Sequence, residues 1–153
     1  MSSGADAPHF LPPHFLPPHF LLDTITVSYI LKGRSPAART RLATLPKQQS
    51  VGISAITEAE LRYGLEKAGA SPAQWAALEG FLSMVRPAPW DSAAVRAYGT
   101  LRPRQERLGK PLGNLDLLIA AHAISLGAIL VTHDHAFHHV ATLPGIEDWA
   151  ADL

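Results

Sequence analysis

Four acidic side chains stand at the ends of apolar segments in a chain with few charges. Only 17% of the 153 residues are charged, so the placement of each acid carries information. The four are Asp23 after an apolar run, Glu60 and Asp116 near the starts of predicted helices, and Asp134 just after a predicted strand. Clustered carboxylates repel one another, and a divalent cation relieves that repulsion. Carboxylate oxygens suit Mg²⁺ or Mn²⁺, and such a site suits phosphodiester hydrolysis.

Each acid also has a purely structural interpretation. Asp23 can cap the helix that follows it, and Glu60 stands three residues after Thr57, which is the spacing of a capping box. Asp116 can act as the partner of a helix dipole, and Asp134 can be a turn residue. One shared site explains all four positions together, because every acid falls at the same edge of the inferred sheet.

Apolar periodicity predicts the elements that must bring these acids together. Strands are predicted at residues 19–23, 51–54, 84–88, 128–132 and 145–149. Helices are predicted at residues 24–32, 35–45, 57–68, 91–108, 115–126 and 135–140, with another starting at Ser71. Pro103 should bend or interrupt the helix at 91–108. Solid apolar strands that alternate with helices indicate an α/β domain with a parallel central sheet flanked by helices on both faces. We assign this domain to residues 19–153.

The first eighteen residues differ in character from the rest. Residues 8–22 read PHFLPPHFLPPHFLL, a five-residue unit repeated three times. Proline in every unit disfavours a helix or a central strand, so residues 1–18 are predicted to be a disordered leader without function. Weak metal binding by His9 and His14 is the less favoured alternative.

Composition excludes several classes of protein. The chain has no Cys, which excludes disulfide scaffolds, thiolate metal sites and cysteine nucleophiles. Its 13 basic residues balance 13 acidic ones, so it is not a broadly basic DNA-coating protein, although a local basic strip is compatible. No apolar run reaches the roughly 18 residues of a membrane helix. We expect a cytoplasmic protein that does not associate with membranes.

Four histidines surround one of the acids. His133, His135, His138 and His139 lie beside Asp134. His135 and His139 are four residues apart in a predicted helix, a spacing that can chelate a transition metal. A polar rim, with His133 beside a substrate phosphate, is favoured instead because a carboxylate-rich site selects hard metals.

Basic side chains flank the proposed acids. A negatively charged pocket needs nearby cations if an RNA backbone is to approach it. The candidates are Arg62, Arg102, Arg104, Arg107 and Lys110. The alternative for any single one of them is an ordinary solvated helix face, and the group from 102 to 110 is the better candidate for an RNA edge.

Four segments together resemble a known family. They are LLDT at 21–24, ISAITEAELRYG at 53–64, GNLDLLIAAHA at 113–123 and LVTHD at 130–134. In order and spacing they resemble PIN-domain ribonucleases, and more closely the VapC toxins of bacterial VapBC toxin–antitoxin pairs. The resemblance runs from about residue 20 to residue 149.

The resemblance implies an activity, a cofactor and partners. It implies a Mg²⁺- or Mn²⁺-dependent endoribonuclease that cleaves tRNA or another structured RNA and leaves 5′-phosphate and 3′-hydroxyl ends. It also implies a homodimer and a VapB-type antitoxin whose C-terminal segment lies across the active site. By motif match, Asp23, Glu60 and Asp116 carry the family's first three acids, Asp134 carries its more variable fourth, and Thr132 carries its hydroxyl beside the site.

One departure from the family pattern motivates a rival function. The first motif usually reads Asp-Thr-Asn, whereas here Ile25 follows Asp23 and Thr24. Ile removes a polar contact near the first acid, which would fit a catalytically weak PIN-like module that binds RNA or an antitoxin without cutting. A metal-dependent phosphatase on the same fold is a third, weaker alternative.

Overall fold

The computed structural model describes residues 16–153. Residues 1–15 of the predicted leader, with His9 and His14, lie outside the described residues. The described chain starts just before the first strand, where Pro18 is buried against Gly52. A Cβ on Gly52 would lie 3.1 Å from Pro18 Cγ and 3.3 Å from the Arg86 carbonyl oxygen. A larger residue at position 52 would therefore force Pro18 or the Arg86 backbone to shift by a few tenths of an ångström.

Five short strands of the described chain form one parallel sheet. They are β1 (Phe20–Leu22), β2 (Val51–Ser54), β3 (Arg86–Ala88), β4 (Ile129–Val131) and β5 (Ile146–Glu147). The spatial order is β3-β2-β1-β4-β5, and every pairing is parallel. All carboxyl ends therefore meet at one edge, with β1 in the centre. The predicted parallel α/β architecture is confirmed.

Six α-helices within residues 16–153 connect and cover the strands. They are α1 (Thr24–Lys32), α2 (Pro36–Ala43), α3 (Ala55–Ala68), α4 (Pro72–Met84), α5 (Ser92–Arg107) and α6 (Asn114–Leu126). A 3₁₀ helix (His135–His139) follows β4. Gly33 and Gly127 end α1 and α6 in the left-handed conformation, with φ values of 68° and 64°. This is the helix ending that glycine favours, and it fixes both bounds where the sequence predicted them. None of these helices has the length and apolar character needed to span a bilayer.

The two faces of the sheet bury separate apolar clusters. Leu21 and Leu130 point to the face covered by α5 and α6, where they pack with residues such as Leu117. Phe20 and Leu22, the neighbours of Leu21 in β1, belong to the cluster formed with α1 and α4. Successive side chains of a strand point to opposite faces, so a solid apolar run fills both cores.

Helix α3 begins two residues earlier than predicted. The sequence offers two hydroxyls as caps, and Ser54 rather than Thr57 is used: its Oγ accepts a hydrogen bond from the Ile56 N–H at 3.0 Å. Thr57 is therefore inside the helix, and Glu60 lies in the second turn. The capping box between Thr57 and Glu60, the structural alternative for Glu60, therefore does not form.

Helix α5 differs from prediction in two respects. It continues through Pro103, where a bend or break was predicted. Pro103 and Gly99, whose carbonyl loses its helical partner, are both exposed, so water can satisfy that carbonyl. The helical spacing of Val95 and Leu108 with Leu101 predicts that they lie on the apolar side of this helix, but they are 54% and 50% exposed.

The repeat provides a matched pair of leucines for a test of the core. Leu21 and Leu16 occupy the same position in consecutive repeat units, yet Leu21 is fully buried and Leu16 is 79% exposed. We expect Leu21→Ala to lower the free energy of unfolding by about 2–5 kcal/mol, because it leaves a cavity between β1 and the α5–α6 layer. Leu16→Ala should change it by less than about 0.5 kcal/mol. Urea denaturation followed by circular dichroism measures both, and equal losses would contradict the assignment of β1.

Candidate active site

Asp23 is the most buried of the four acids and is held by hydrogen bonds to both carboxylate oxygens. It directly follows β1 and is only 3% exposed. Its Oδ2 accepts a hydrogen bond from Thr132 Oγ1 at 2.6 Å, and its Oδ1 accepts one from the Thr26 N–H at 2.9 Å. Asp23 therefore caps α1, as its structural interpretation predicted, and also faces the edge where the other acids lie.

Thr132 connects two acids that lie far apart in sequence. Besides donating to Asp23, its Oγ1 accepts a hydrogen bond from the Asp134 N–H at 3.0 Å. Asp134 in turn caps the 3₁₀ helix, because its Oδ1 accepts a hydrogen bond from the Ala136 N–H at 2.9 Å. One buried hydroxyl thus fixes the ends of β1 and β4 relative to each other.

Glu60 is held by a residue that the sequence analysis did not single out. Thr24 Oγ1 donates a hydrogen bond to Glu60 Oε1 at 2.6 Å and lies 3.2 Å from Thr57 Oγ1. Thr24 is the neighbour of Asp23, so this contact ties the second turn of α3 to the first residue of α1. The threonine of the LLDT motif was the available signal, although the motif does not reveal what the hydroxyl contacts.

Asp116 reaches the same edge because of the direction of its helix. A short connection joins α6 to the parallel strand β4, so α6 runs back along the sheet and its first turn lies beside the carboxyl ends of the strands. Burial, followed by repulsion from Asp134, Glu60 and Asp23 in that order, raises the pKa of Asp116 to about 6. All three other acids therefore act on Asp116, as expected for carboxylates that share one basin.

Burial also raises the pKa of Asp23. The hydrogen bonds from Thr132 and Thr26 lower it, and the charge of Asp134 adds a smaller upward contribution. The desolvation of the Asp23 carboxylate outweighs the hydrogen bonds that it accepts, so its charged form lowers the stability of the folded protein. A cation beside it would relieve that penalty.

The acids suit a hard cation that is shared with a substrate, rather than a closed protein cage. Within residues 16–153, no three His, Cys, Asp or Glu side chains are arranged to enclose a metal ion. Mg²⁺ ordinarily binds through one or two carboxylates and completes its coordination with water and substrate phosphate. Carboxylate oxygens that repel one another and raise the pKa of Asp116 fit that mode of binding.

A buried serine–histidine pair links the helices that carry Glu60 and Asp116. His122 of α6 is fully buried, and its Nδ1 lies 2.7 Å from Ser54 Oγ at the start of α3. Ser54 Oγ also accepts the Ile56 N–H, so one hydroxyl joins the cap of α3 to the His122 ring. Burial lowers the pKa of His122, which keeps the ring neutral. The sequence analysis missed this contact; the only signal was a histidine within an apolar helix.

The histidines around Asp134 follow the geometry of a 3₁₀ helix. The segment 135–139 has three residues per turn, so His135 stacks with His138, with ring centroids 5.9 Å apart and planes 26° apart. His135 and His139, the less favoured chelating alternative, therefore do not share a face of this helix. His133 instead contacts Asp148, with Nδ1 2.9 Å from Oδ2.

The predicted RNA-binding cations fall into two groups. Arg62 is paired with Glu58 and Glu79 at 2.8 and 2.7 Å, and Arg102 is paired with Glu106 at 3.4 Å. Of the five predicted cations, Arg104, Arg107 and Lys110 are exposed and form no ion pair within residues 16–153. The second group can meet an RNA backbone without breaking an internal contact.

Comparison with known proteins identifies related sequences. The PIN domain family matches residues 20–143. The tRNA(fMet)-specific endonuclease VapC of Shigella flexneri is 36% identical over 131 residues, which cover 85% of this chain and 97% of that protein. Ribonuclease VapC2 of Rickettsia felis is 34% identical over 130 residues, which cover 84% of this chain and 96% of that protein.

Solved structures with the same fold are toxin–antitoxin complexes. The chain is similar to VapBC2 from Rickettsia felis bound to a promoter DNA fragment, with a TM-score of 0.80 and 33% identity over 85% of this chain and 98% of that one. It is also similar to DNA-bound VapBC from Salmonella typhimurium, with a TM-score of 0.79 and 34% identity over 86% and 98% of the two chains.

The raised pKa of Asp116 predicts how stability depends on pH. The pKa of the carboxyl group is near its ordinary value of 3.8 in the unfolded chain and about 6 in the folded protein. The folded state therefore disfavours the charged form, and stability is lost as pH rises from about 4 to about 6. In metal-free buffer, Asp116→Asn should stabilise the protein by about 1 kcal/mol at about pH 8, after discounting for the screening of a half-exposed group.

Urea denaturation in EDTA at two pH values tests this expectation. The gain in unfolding free energy should largely disappear at about pH 3, where the wild-type carboxyl is mostly protonated in both states. Glu66→Gln, at an exposed position of α3, removes the same charge outside the basin and serves as the control. A gain that persists at acid pH, or that the control reproduces, would contradict the mutual repulsion of the acids.

Proposed function

The chain belongs to the PIN-domain family and, within it, to the VapC ribonucleases, and on this premise we propose that it is the toxin of a toxin–antitoxin pair and hydrolyses RNA. The observation that carries this proposal is the influence of Asp23, Glu60 and Asp134 on Asp116 at one edge of the sheet. Four carboxylates in one basin repel one another when no cation is bound, and together they can hold a cation that promotes hydrolysis.

We propose Mg²⁺ or Mn²⁺ as the cofactor, held by Asp23, Glu60, Asp116 and Asp134. When bound, the ion would neutralise charge on a phosphodiester and make a nearby water more acidic. Thr132 orients Asp23, and Thr24 orients Glu60. Both hydroxyls donate to carboxylates, so neither is free to act as a nucleophile, and water is the attacking group. The oxygen of this water bonds to phosphorus, and the bond between phosphorus and the 3′ oxygen breaks. The 3′ oxygen takes up the proton that the water loses, so the products carry 5′-phosphate and 3′-hydroxyl ends.

We propose tRNA as the substrate. The relative from Shigella flexneri is named as a tRNA(fMet)-specific endonuclease. The cations Arg104, Arg107 and Lys110 would hold phosphates of the RNA, because they are exposed and no ion pair within residues 16–153 engages them. Arg62 and Arg102 would contribute only by exchanging a carboxylate partner for a phosphate.

The proposed inhibitor is a VapB-type antitoxin that covers the active site. Both similar structures named above are VapBC complexes bound to DNA. In this chain, a groove of about 400 Å³ lies between α1, α3 and α4 and includes Thr24 and Glu60 together with apolar Leu61, Leu65 and Leu78. A segment seated there would contact the two residues of the Thr24–Glu60 hydrogen bond and block access to the acids. We also propose that the chain forms a homodimer and acts in the cytoplasm, where its RNA substrate is found.

Cleavage of total tRNA by the purified chain tests the activity. We expect products with Mg²⁺ and none with excess EDTA, and Asp116→Asn should lower the rate by about 100-fold or more, because one of the proposed metal ligands loses its charge. Glu66→Gln should cleave at the wild-type rate. Denaturing gels with end analysis provide the measurement. Undiminished cleavage by Asp116→Asn would overturn the site, and turnover of a small phosphate ester without any effect on RNA would favour a phosphatase.

Ile25 separates the nuclease from the catalytically weak rival. The side chain is 45% exposed, and Asp23 is held by Thr132 and Thr26 without any contribution from position 25. We therefore expect Ile25→Asn to change the rate of tRNA cleavage by less than about threefold, equivalent to roughly 0.7 kcal/mol. A gain of about tenfold or more would show that the natural Ile suppresses catalysis and would support the binding-module alternative.

A further inference from the structure

We propose that a row of aromatic rings beside the acids binds unpaired bases of the RNA substrate. The row consists of Tyr29, His133, His135 and His138, and is called the aromatic row below. This inference rests on the proposed function and adds to it the part of the substrate that is recognised. It predicts a preference for single-stranded RNA, such as a loop, over continuous duplex.

The four rings follow one another at nearly constant spacing. Ring centroids are 6.1 Å apart between Tyr29 and His133, 6.5 Å between His133 and His135, and 5.9 Å between His135 and His138. The interplanar angle falls along the row from 74° to 49° to 26°. The rings of His135 and His138 are therefore close to parallel, so both can stack with flat bases.

The aromatic row passes directly beside the proposed catalytic basin. Asp134 stands between His133 and His135 in the chain and is one of the acids that raise the pKa of Asp116. An RNA strand with a phosphate at the acids would therefore bring its neighbouring bases to these rings.

The row is anchored at one end and open at the other. Tyr29 packs against the apolar cluster beneath α1, and His133 Nδ1 lies 2.9 Å from Asp148 Oδ2. Phe137 is 1% exposed and fixes the 3₁₀ helix to the core, whereas His135 and His138 are exposed. A ligand would meet two presented rings on a rigid base, so little conformational entropy would be lost on binding.

The surrounding charge favours bases over phosphates as the bound groups. The carboxylate of Asp148 contacts His133 in the row and would repel an RNA phosphate there. An aromatic ring face stacks with any base, and single-stranded RNA exposes base faces while a duplex conceals them.

Binding measurements in the Asp116→Asn background test the proposal without cleavage. The probe is a short fluorescein-labelled single-stranded RNA of mixed sequence, followed by fluorescence anisotropy in Mg²⁺ buffer. His135→Ala/His138→Ala should weaken binding by about fivefold or more, the loss of at least one stacked base. His135→Phe/His138→Phe should retain binding, because phenylalanine stacks but carries no proton or metal-ligating nitrogen. His139→Ala is the matched control, an exposed histidine of the same helix outside the row, and should bind like the background protein.

Two further probes separate stacking from other contacts. RNA with abasic sites keeps every phosphate, so it should bind more weakly than intact RNA and should not respond to the alanine substitutions. A fully paired RNA duplex should likewise be insensitive to them. Unchanged RNA affinity in the alanine variant would overturn the inference and would be the result if the row serves a protein partner. Equal losses with alanine and phenylalanine would also overturn it, in favour of a phosphate or metal contact.

The failure of this inference can be told apart from the failure of the proposed function. Cleavage of total tRNA by the chain with its natural residues establishes the function whether or not the aromatic row contributes. If that chain cleaves tRNA while the alanine variant binds RNA as tightly as its background, the ribonuclease stands and the row is not a base-binding site.

Discussion

Repulsion among carboxylates at one edge of a parallel sheet is the constraint around which this structure is built. Parallel strands deliver all their carboxyl ends to the same place, and the chain puts acids there from β1, β4, α3 and α6. Hydrogen bonds from threonines hold two of these acids in place: Thr132 binds Asp23, and Thr24 binds Glu60. These hydrogen bonds position the acids but do not neutralise their charge. A bound cation is needed to balance the negative charge of the basin.

The rest of the fold follows from the need to keep that basin rigid. The apolar clusters on the two faces of the sheet fix β1 in the centre, and the buried pair of Ser54 and His122 sets the relation between α3 and α6. None of these contacts involves solvent-exposed groups, so each is strong relative to its surface equivalent. The solvent-exposed groups lie outside these contacts. They include the rings of His135 and His138 and the cations of α5.

The sequence was sufficient for the fold and for the convergence of the acids, but not for the contacts between helices. Gly33 and the apolar spacing before it predicted α1 to the residue, and the positions of Asp23 and Asp134 after strands predicted a shared edge. The hydrogen bond from Thr24 to Glu60 depends on how α1 packs against α3, which no local pattern encodes. The 3₁₀ geometry at 135–139 was equally hidden, since five residues have no periodicity that distinguishes three residues per turn from 3.6. At α3, two hydroxyls competed to cap the helix, and the end of β2 decided between them.

The prolines of the repeat before β1 disfavour a shifted register of this strand. If the chain slipped by one unit, Leu16 would replace Leu21 in the sheet, but Pro17 would stand where Leu22 now lies and Pro18 where Asp23 now lies. Proline has no N–H to offer a neighbouring strand, so such a slipped register could not complete the ladder, and it would carry no acid at the edge where the carboxylates meet. The register of β1 is therefore fixed by the last unit of the repeat alone, the unit in which Leu22 stands in place of the closing proline.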